Sequence, residues 1–229
     1  MSLSKTFLIV GIFLAILSVL ISNLPGLIGQ IPTTGIPANA TVKGGLDLSK
    51  ALPFTSVALQ AFAAIIFATP VLLLYVYDKN NGVLEYFLSL GMSQGDIYRQ
   101  YLKAALILSS GVVGLEIAIN VVAGLAEGTN GLFLLELSGL VVVLAIPVVS
   151  LGTLTMMSFS SLQKQRVGAN QPLGMALGIF MVMPAYIFPL VFPSLAIAID
   201  LALAVVIGTL SLLMYLSSSR LISREKLLP

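Results

Sequence analysis

The chain has 229 residues, 58% of them hydrophobic and 9% charged, with a formal charge of +2. Soluble domains run closer to about 45–50% apolar and about 25% charged, so water is not the main solvent here. The absence of cysteine excludes disulfides and thiolate chemistry, and the absence of histidine removes the commonest general base and metal ligand.

At about 20 apolar residues per crossing, this length holds about six short-looped spans and no separate soluble catalytic domain. The expected fold class is an all-α, polytopic membrane bundle forming a single domain over 1–229. Apolar runs place the spans at about 6–21, 53–77, 104–126, 132–157, 172–188 and 194–216. An N-terminal signal peptide is the other reading of the first run, with Ala38-Asn39-Ala40 as its cleavage site. That site lies well past the run's end, which favours a retained helix.

The loop 22–52 is rich in Gly, Pro, Thr and Asn and holds the sequon Asn39-Ala40-Thr41, a possible glycosylation site on an external face. Pro70 and Pro147 fall inside the second and fourth spans and are expected to kink them. Gly174 and Gly178 make a small-xxx-small pair on the fifth span. Pro184, Pro189 and Pro193 interrupt the last apolar stretch, so a tight turn or a re-entrant segment is expected over about 184–195. With the N-terminus inside, Lys79, Arg99, Lys103, Lys164, Arg166 and the basic residues of both chain ends face the cytoplasm, leaving Lys43 and Lys50 outside. The expected location is therefore the cell membrane, multi-pass, with both termini cytoplasmic. In the absence of tryptophan, Tyr75, Tyr77, Tyr186 and Tyr215 are expected to take the interfacial role.

The connection from Asp78 to Lys103 is the most informative segment. Asn80, Asn81 and Gly82 supply a turn and cap, after which Leu84, Phe87 and Leu88 recur at helical spacing. A short amphipathic helix is expected there, ended by Gly91, with Ser93 capping a second helix that carries Ile97, Arg99 and Tyr101 into the third span. The same segment contains Gly91-Met92-Ser93-Gln94-Gly95, a Gly-x-Ser-x-Gly match. It sits between helices, and no histidine exists to activate Ser93, so it is read as a chance match.

Asp78, Gly82-Val83-Leu84-Glu85, Phe87-Leu88-Ser89-Leu90, Ser93 and Asp96-Ile97 follow one another in an order that resembles the first cytoplasmic loop of the ABC-2 family of transporter permeases. Val83 stands where that family usually has Thr, Met92 where Pro is common, and Gln94 where a basic residue is common. The resemblance implies the membrane-spanning subunit of an ATP-driven transporter, an exporter by preference. Gly82, Leu84, Glu85, Phe87, Leu88, Asp96 and Ile97 would then form a coupling helix and its surroundings, docked on a cytoplasmic ABC ATP-binding subunit. It also implies a second permease subunit, identical or related. No Gly-x-x-x-x-Gly-Lys-Ser/Thr loop occurs, so ATP and Mg belong to the partner and no cofactor, metal site or catalytic residue is expected in this chain. Membrane lipid is an expected partner and nucleic acid is not.

Glu116, Glu136 and Asp200 are acids within spans, where charge is costly and function is the default hypothesis. Glu116 falls near mid-span with Asn120 one turn along. Glu136, Asp200 and Gln60 fall nearer the outer ends, by roughly 6–9 Å of helix rise. Two readings stand open: these groups line an outward-opening polar pocket for the head of an amphiphilic or cationic substrate, or they fix helix packing. An aspartyl-protease dyad is disfavoured by the unequal depths. The main alternative function is an ion-coupled carrier or channel that uses the intramembrane acids without an ATPase. A scaffold that transports nothing is a third.

Overall fold

The computed structural model describes residues 48–126, 128–162, 183–188 and 191–221, together with Ile9, Ile12, Phe13, Ile16, Leu17 and Leu20. Most of the first and fifth spans, most of the loop 22–52 with Asn39, and Gly174 and Gly178 lie outside the described residues.

All regular structure among the described residues is helical. The order is α1 (Leu48–Asn80), α2 (Val83–Ser89), α3 (Gln94–Ala126), α4 (Gly131–Leu162), a 3₁₀ turn at Pro193–Leu195, and α5 (Ala196–Leu221). Four of these contain stretches long and apolar enough to cross a bilayer: Pro53–Asn80, Gln94–Ala126, Gly131–Ser158 and Ala196–Ser217. Lipid offers no hydrogen bonds, so each crossing must satisfy its backbone internally, as a helix does. The described helices extend beyond their apolar runs at one end or both, because the run marks where lipid ends and helical backbone can continue past it. Leu48 to Leu52, read from sequence as loop, are thus the first turn and more of α1. Pro70 and Pro147 sit inside unbroken helices. Within 184–195, residues 184–188 are helical and the 3₁₀ turn begins at Pro193.

Helix α4 packs against α1, α3 and α5, and α1 packs against α3. Helix α1 is the most enclosed: 67% of its apolar window is buried, against 22% for α3 and for α5. Its Ala58, Ala61, Ala63, Ala64 and Ala68 let neighbours approach closely, as small residues do where lipid gives no hydrophobic drive between helices. Two further small residues mark crossings. A Cβ on Gly124 would fall 2.6 Å from Leu134, and one on Gly152 would fall 2.6 Å from Ile65.

The α1–α2 turn falls at Asn81 and Gly82, within the segment read from sequence as turn and cap. The backbone N–H and side-chain Nδ2 of Asn81 both donate to the carbonyl of Tyr77, closing the end of α1 at 3.0 and 2.8 Å. Gly82 then reverses the chain at φ 73° and is the N-cap of α2 without a side-chain cap. Gly82→Ala is expected to cost about 1–2 kcal/mol, because the left-handed conformation crowds a Cβ. A lowered thermal midpoint in detergent would show it. Gly91, at φ 85°, ends the loop helix as expected, with the N–H groups of Gly91 and Met92 on the carbonyls of Leu88 and Phe87. Ser93 caps α3, its Oγ accepting from the Asp96 N–H at 3.2 Å and donating to Asp96 Oδ2 at 2.6 Å.

Candidate functional site

Two regions hold the sequence-designated residues. The first is at the α2 end of the bundle. Leu72, Tyr75, Leu84, Ile97, Tyr98, Tyr101, Leu154 and Met157 form a buried cluster, with Phe87 and Leu88 packed at its edge. The stripe Leu84–Phe87–Leu88 therefore faces its own bundle. Leu84 is 0% and Ile97 1% exposed, so neither presents a surface to another molecule. The large side chains that α2 and its C-cap turn outward are Tyr86 and Leu90, at 61% and 62% exposure, with Ser89 exposed and Glu85 half-buried. Amphipathic spacing identifies a stripe but not what the stripe meets, which is why Tyr86 and Leu90 escaped sequence reasoning.

Polar links pin this end. The Tyr101 hydroxyl donates to Asp78, the Tyr75 and Tyr98 hydroxyls pair at 3.2 Å, and Arg99 Nε donates to the Tyr215 hydroxyl at 3.0 Å. The Tyr75 ring meets Tyr101 edge-on with centroids 5.1 Å apart. Tyr75 is thus a core residue with no exposure, not an interfacial ring, whereas Tyr77 is exposed. Asp96 and Arg99 make an exposed pair at 3.8 Å, worth little by itself. The net result joins α2 to α1 and α3, and α3 to α5, through buried rings and hydrogen bonds.

The second region is a polar layer farther along the bundle. On α3 the buried face runs Tyr101, Ala105, Ser109, Val113, Glu116. Ser109 Oγ donates to the carbonyl of Ala64 at 2.9 Å, which fixes the antiparallel register of α1 and α3. Gln60 is one turn from Ala64, about 6 Å, and Glu116 is two turns from Ser109 in the same direction, about 10 Å. Gly124 meets Leu134, and Gly208 meets Pro147, which place Glu116 opposite Val142 and Asp200 opposite Gly139 on α4. Gln60, Glu116 and Asp200 therefore fall within about 9 Å of depth.

All three are buried, at 3%, 2% and 1% exposure, and among the described residues their side-chain oxygens Gln60 Oε1, Glu116 Oε1 and Oε2, and Asp200 Oδ1 and Oδ2 have no hydrogen-bond partner. Asp200 does not reach the surface as its sequence position suggested; it lies on the buried stripe Ala196, Asp200, Ala204, Ile207, Ser211 of α5. The two acids differ by about 4.5 Å in depth and are not a hydrogen-bonded dyad. Asn120 is half-buried one turn beyond Glu116, and Glu136 is exposed on α4, apart from the layer. Among the described residues no three Asp or Glu side chains gather to hold a metal ion.

Beside the layer, α3 and α4 leave an apolar groove of about 150 Å³, walled by Ser109, Val113, Gly114, Ile117, Ala145 and Val149 among others. The serine hydroxyls there are turned onto backbone, Ser109 to Ala64 and Ser110 to Ile107.

The helices, their apolar lengths and their polar interior define an all-helical, membrane-embedded protein. No protein-family model, curated protein or solved structure matches the chain.

Proposed function

We propose that the chain is the membrane-spanning permease subunit of an ATP-driven ABC-type transporter of the ABC-2 kind, with six spans and both termini in the cytoplasm. Export is the direction favoured by the small external loop. The observation that carries the reading is the build of α2: a two-turn helix between two spans, held from within by Leu84 and Ile97 while Tyr86 and Leu90 stand bare. Such a helix is a rigid lever with an apolar grip for a partner's groove. ATP and Mg are supplied by a separate P-loop subunit, and a second permease subunit, identical or related, completes the transporter.

The coupling residues divide by role in this proposal. Tyr86, Leu90 and Glu85 meet the ATPase, Phe87 and Leu88 support them at the cluster's edge, and Leu84 and Ile97 transmit force to the spans. Gly82 and the Ser93–Asp96 cap set the two ends of the lever. The test is affinity purification of the chain in mild detergent with a co-expressed P-loop ATPase, comparing wild type with Tyr86→Asp and Leu90→Asp. Retention by wild type and loss in both variants, each keeping the wild-type elution profile, is the expected result. If wild type retains no ATPase, the reading falls. An ion-coupled carrier then takes its place, because Glu116 and Asp200 are buried acids whose oxygens make no hydrogen bond among the described residues.

A further inference from the structure

We propose that the face of α3 carrying Arg99, Lys103 and the α3–α4 groove is a binding site for an anionic phospholipid, its phosphate on the two cations and one acyl chain in the groove. The inference rests on the bilayer placement of α3 and not on the transporter reading above.

The groove and the two cations share one stripe of α3. Leu106, Ser110, Val113 and Ile117 line the groove and follow one another by four and three residues, the spacing that keeps side chains on one helix face. The same alternation carried back from Leu106 meets Lys103 and then Arg99. Ile117 follows Arg99 by about five full turns, so the two leave the helix in the same direction. Both cations are exposed, and after Lys103 the helix carries no charge until Glu116. Water gives way to hydrocarbon at such a boundary, and long basic side chains there place their heads among lipid headgroups.

The dimensions suit a lipid. From Leu106 to Ile117 the groove runs about 16 Å along α3, close to the depth of one leaflet, about 15 Å of hydrocarbon. Lys103 stands about 4–5 Å beyond Leu106 on the water side, where a phosphate sits above its own acyl chain. The wall asks for no hydrogen bond, because the Ser109 and Ser110 hydroxyls donate to backbone carbonyls. A Cβ on Gly114 would meet nothing within 4 Å, so a hydrocarbon chain can lie against the backbone there.

The cations select the head. Arg99 Nε donates to the Tyr215 hydroxyl at 3.0 Å, which fixes the guanidinium between α3 and α5. Its Nη1 stands 3.8 Å from Asp96 Oδ1, beyond hydrogen-bonding distance, so the outer N–H groups keep their donor capacity toward a ligand. Asp96 offsets part of the charge, and Lys103, one turn along, leaves the group positive. A phosphodiester offers two anionic oxygens to this planar fork and mobile ammonium. Phosphatidylcholine fills the groove equally well but brings a cation of its own.

The experiment is native mass spectrometry of the purified full chain in detergent, titrated with dioleoyl phosphatidylglycerol and with dioleoyl phosphatidylcholine. Phosphatidylglycerol is expected to bind more tightly by about fivefold or more, the gain that one interfacial cation provides. Arg99→Gln and Lys103→Gln should each reduce that preference, and the double variant should abolish it with phosphatidylcholine binding unchanged. Gly114→Leu, and independently Ser110→Leu, should weaken both lipids severalfold by filling the groove. Inorganic phosphate at matched concentration should displace neither lipid. Equal binding of the two lipids by wild type, a preference that survives in the double variant, or unchanged binding in both groove variants overturns the proposal. Displacement by inorganic phosphate does so as well, because it would mark a site for the free anion. No ATPase is present, so the result is independent of the co-purification outcome.

Discussion

Leu84→Ala is expected to lower stability by about 2–5 kcal/mol, the range for emptying a fully buried leucine site. Leu84 touches solvent nowhere and lies among Tyr75, Tyr98, Tyr101 and Ile97, so its loss leaves a cavity between the lever and the spans. Leu84→Asp adds the cost of an unpaired charge in that cavity and should detach α2 altogether. Tyr86→Ala, one turn face away, should change stability by no more than about 0.5 kcal/mol, because Tyr86 packs mainly against solvent. Thermal unfolding in detergent followed by tyrosine emission reads this directly, since the chain has no tryptophan and the cluster holds buried tyrosines. Equal midpoints for Leu84→Ala and Tyr86→Ala would refute the assignment of Leu84 as the pin and Tyr86 as the free face.

The second large effect runs in the opposite direction. Glu116→Met is expected to raise stability by about 1–4 kcal/mol, because it exchanges an unpartnered buried carboxyl for an apolar chain of similar volume. A gain in midpoint is the signature of a residue kept at the expense of stability. Were Glu116 a packing residue, the substitution would lower the midpoint.

The extent to which these features were legible in the sequence follows from the kind of signal each one leaves. Hydropathy located α1, α3, α4 and α5 because a lipid-crossing helix must be apolar over its whole width. It could not find the ends: α3 starts at Gln94, well outside its apolar run, where the Ser93 cap rather than hydropathy decides. Gly91 and Ser93 were readable because left-handed φ and side-chain capping are local. The division of labour within Asn80-Asn81-Gly82 was not readable, because an amide between two helices can close either; here Asn81 closes α1 and Gly82 caps α2.

Long-range facts were illegible for a different reason. The relative depths of Gln60, Glu116 and Asp200 depend on the registers of α1 with α3 and of α4 with both α3 and α5, which no single segment encodes. Counting along each span separately put Asp200 outward of Glu116. The helix contacts keep that order with a separation of about 4.5 Å, and they bury Asp200. The same limit hid the direction of the Leu84 stripe.

The alanines of α1 have a mechanical meaning. A methyl group makes a shallow ridge, so a helix lying against Ala58, Ala61, Ala64 and Ala68 has few deep interdigitations to unseat when it shifts along the axis. Sliding is then a low-barrier motion at the centre of the bundle, while the ring cluster at the α2 end resists it. The Ser109 hydrogen bond acts as a catch, and each further turn of α1 offers another carbonyl about 5.4 Å along. Sliding of α3 along α1 would therefore pass between registers one turn apart, a ratchet with the central helix as the rail.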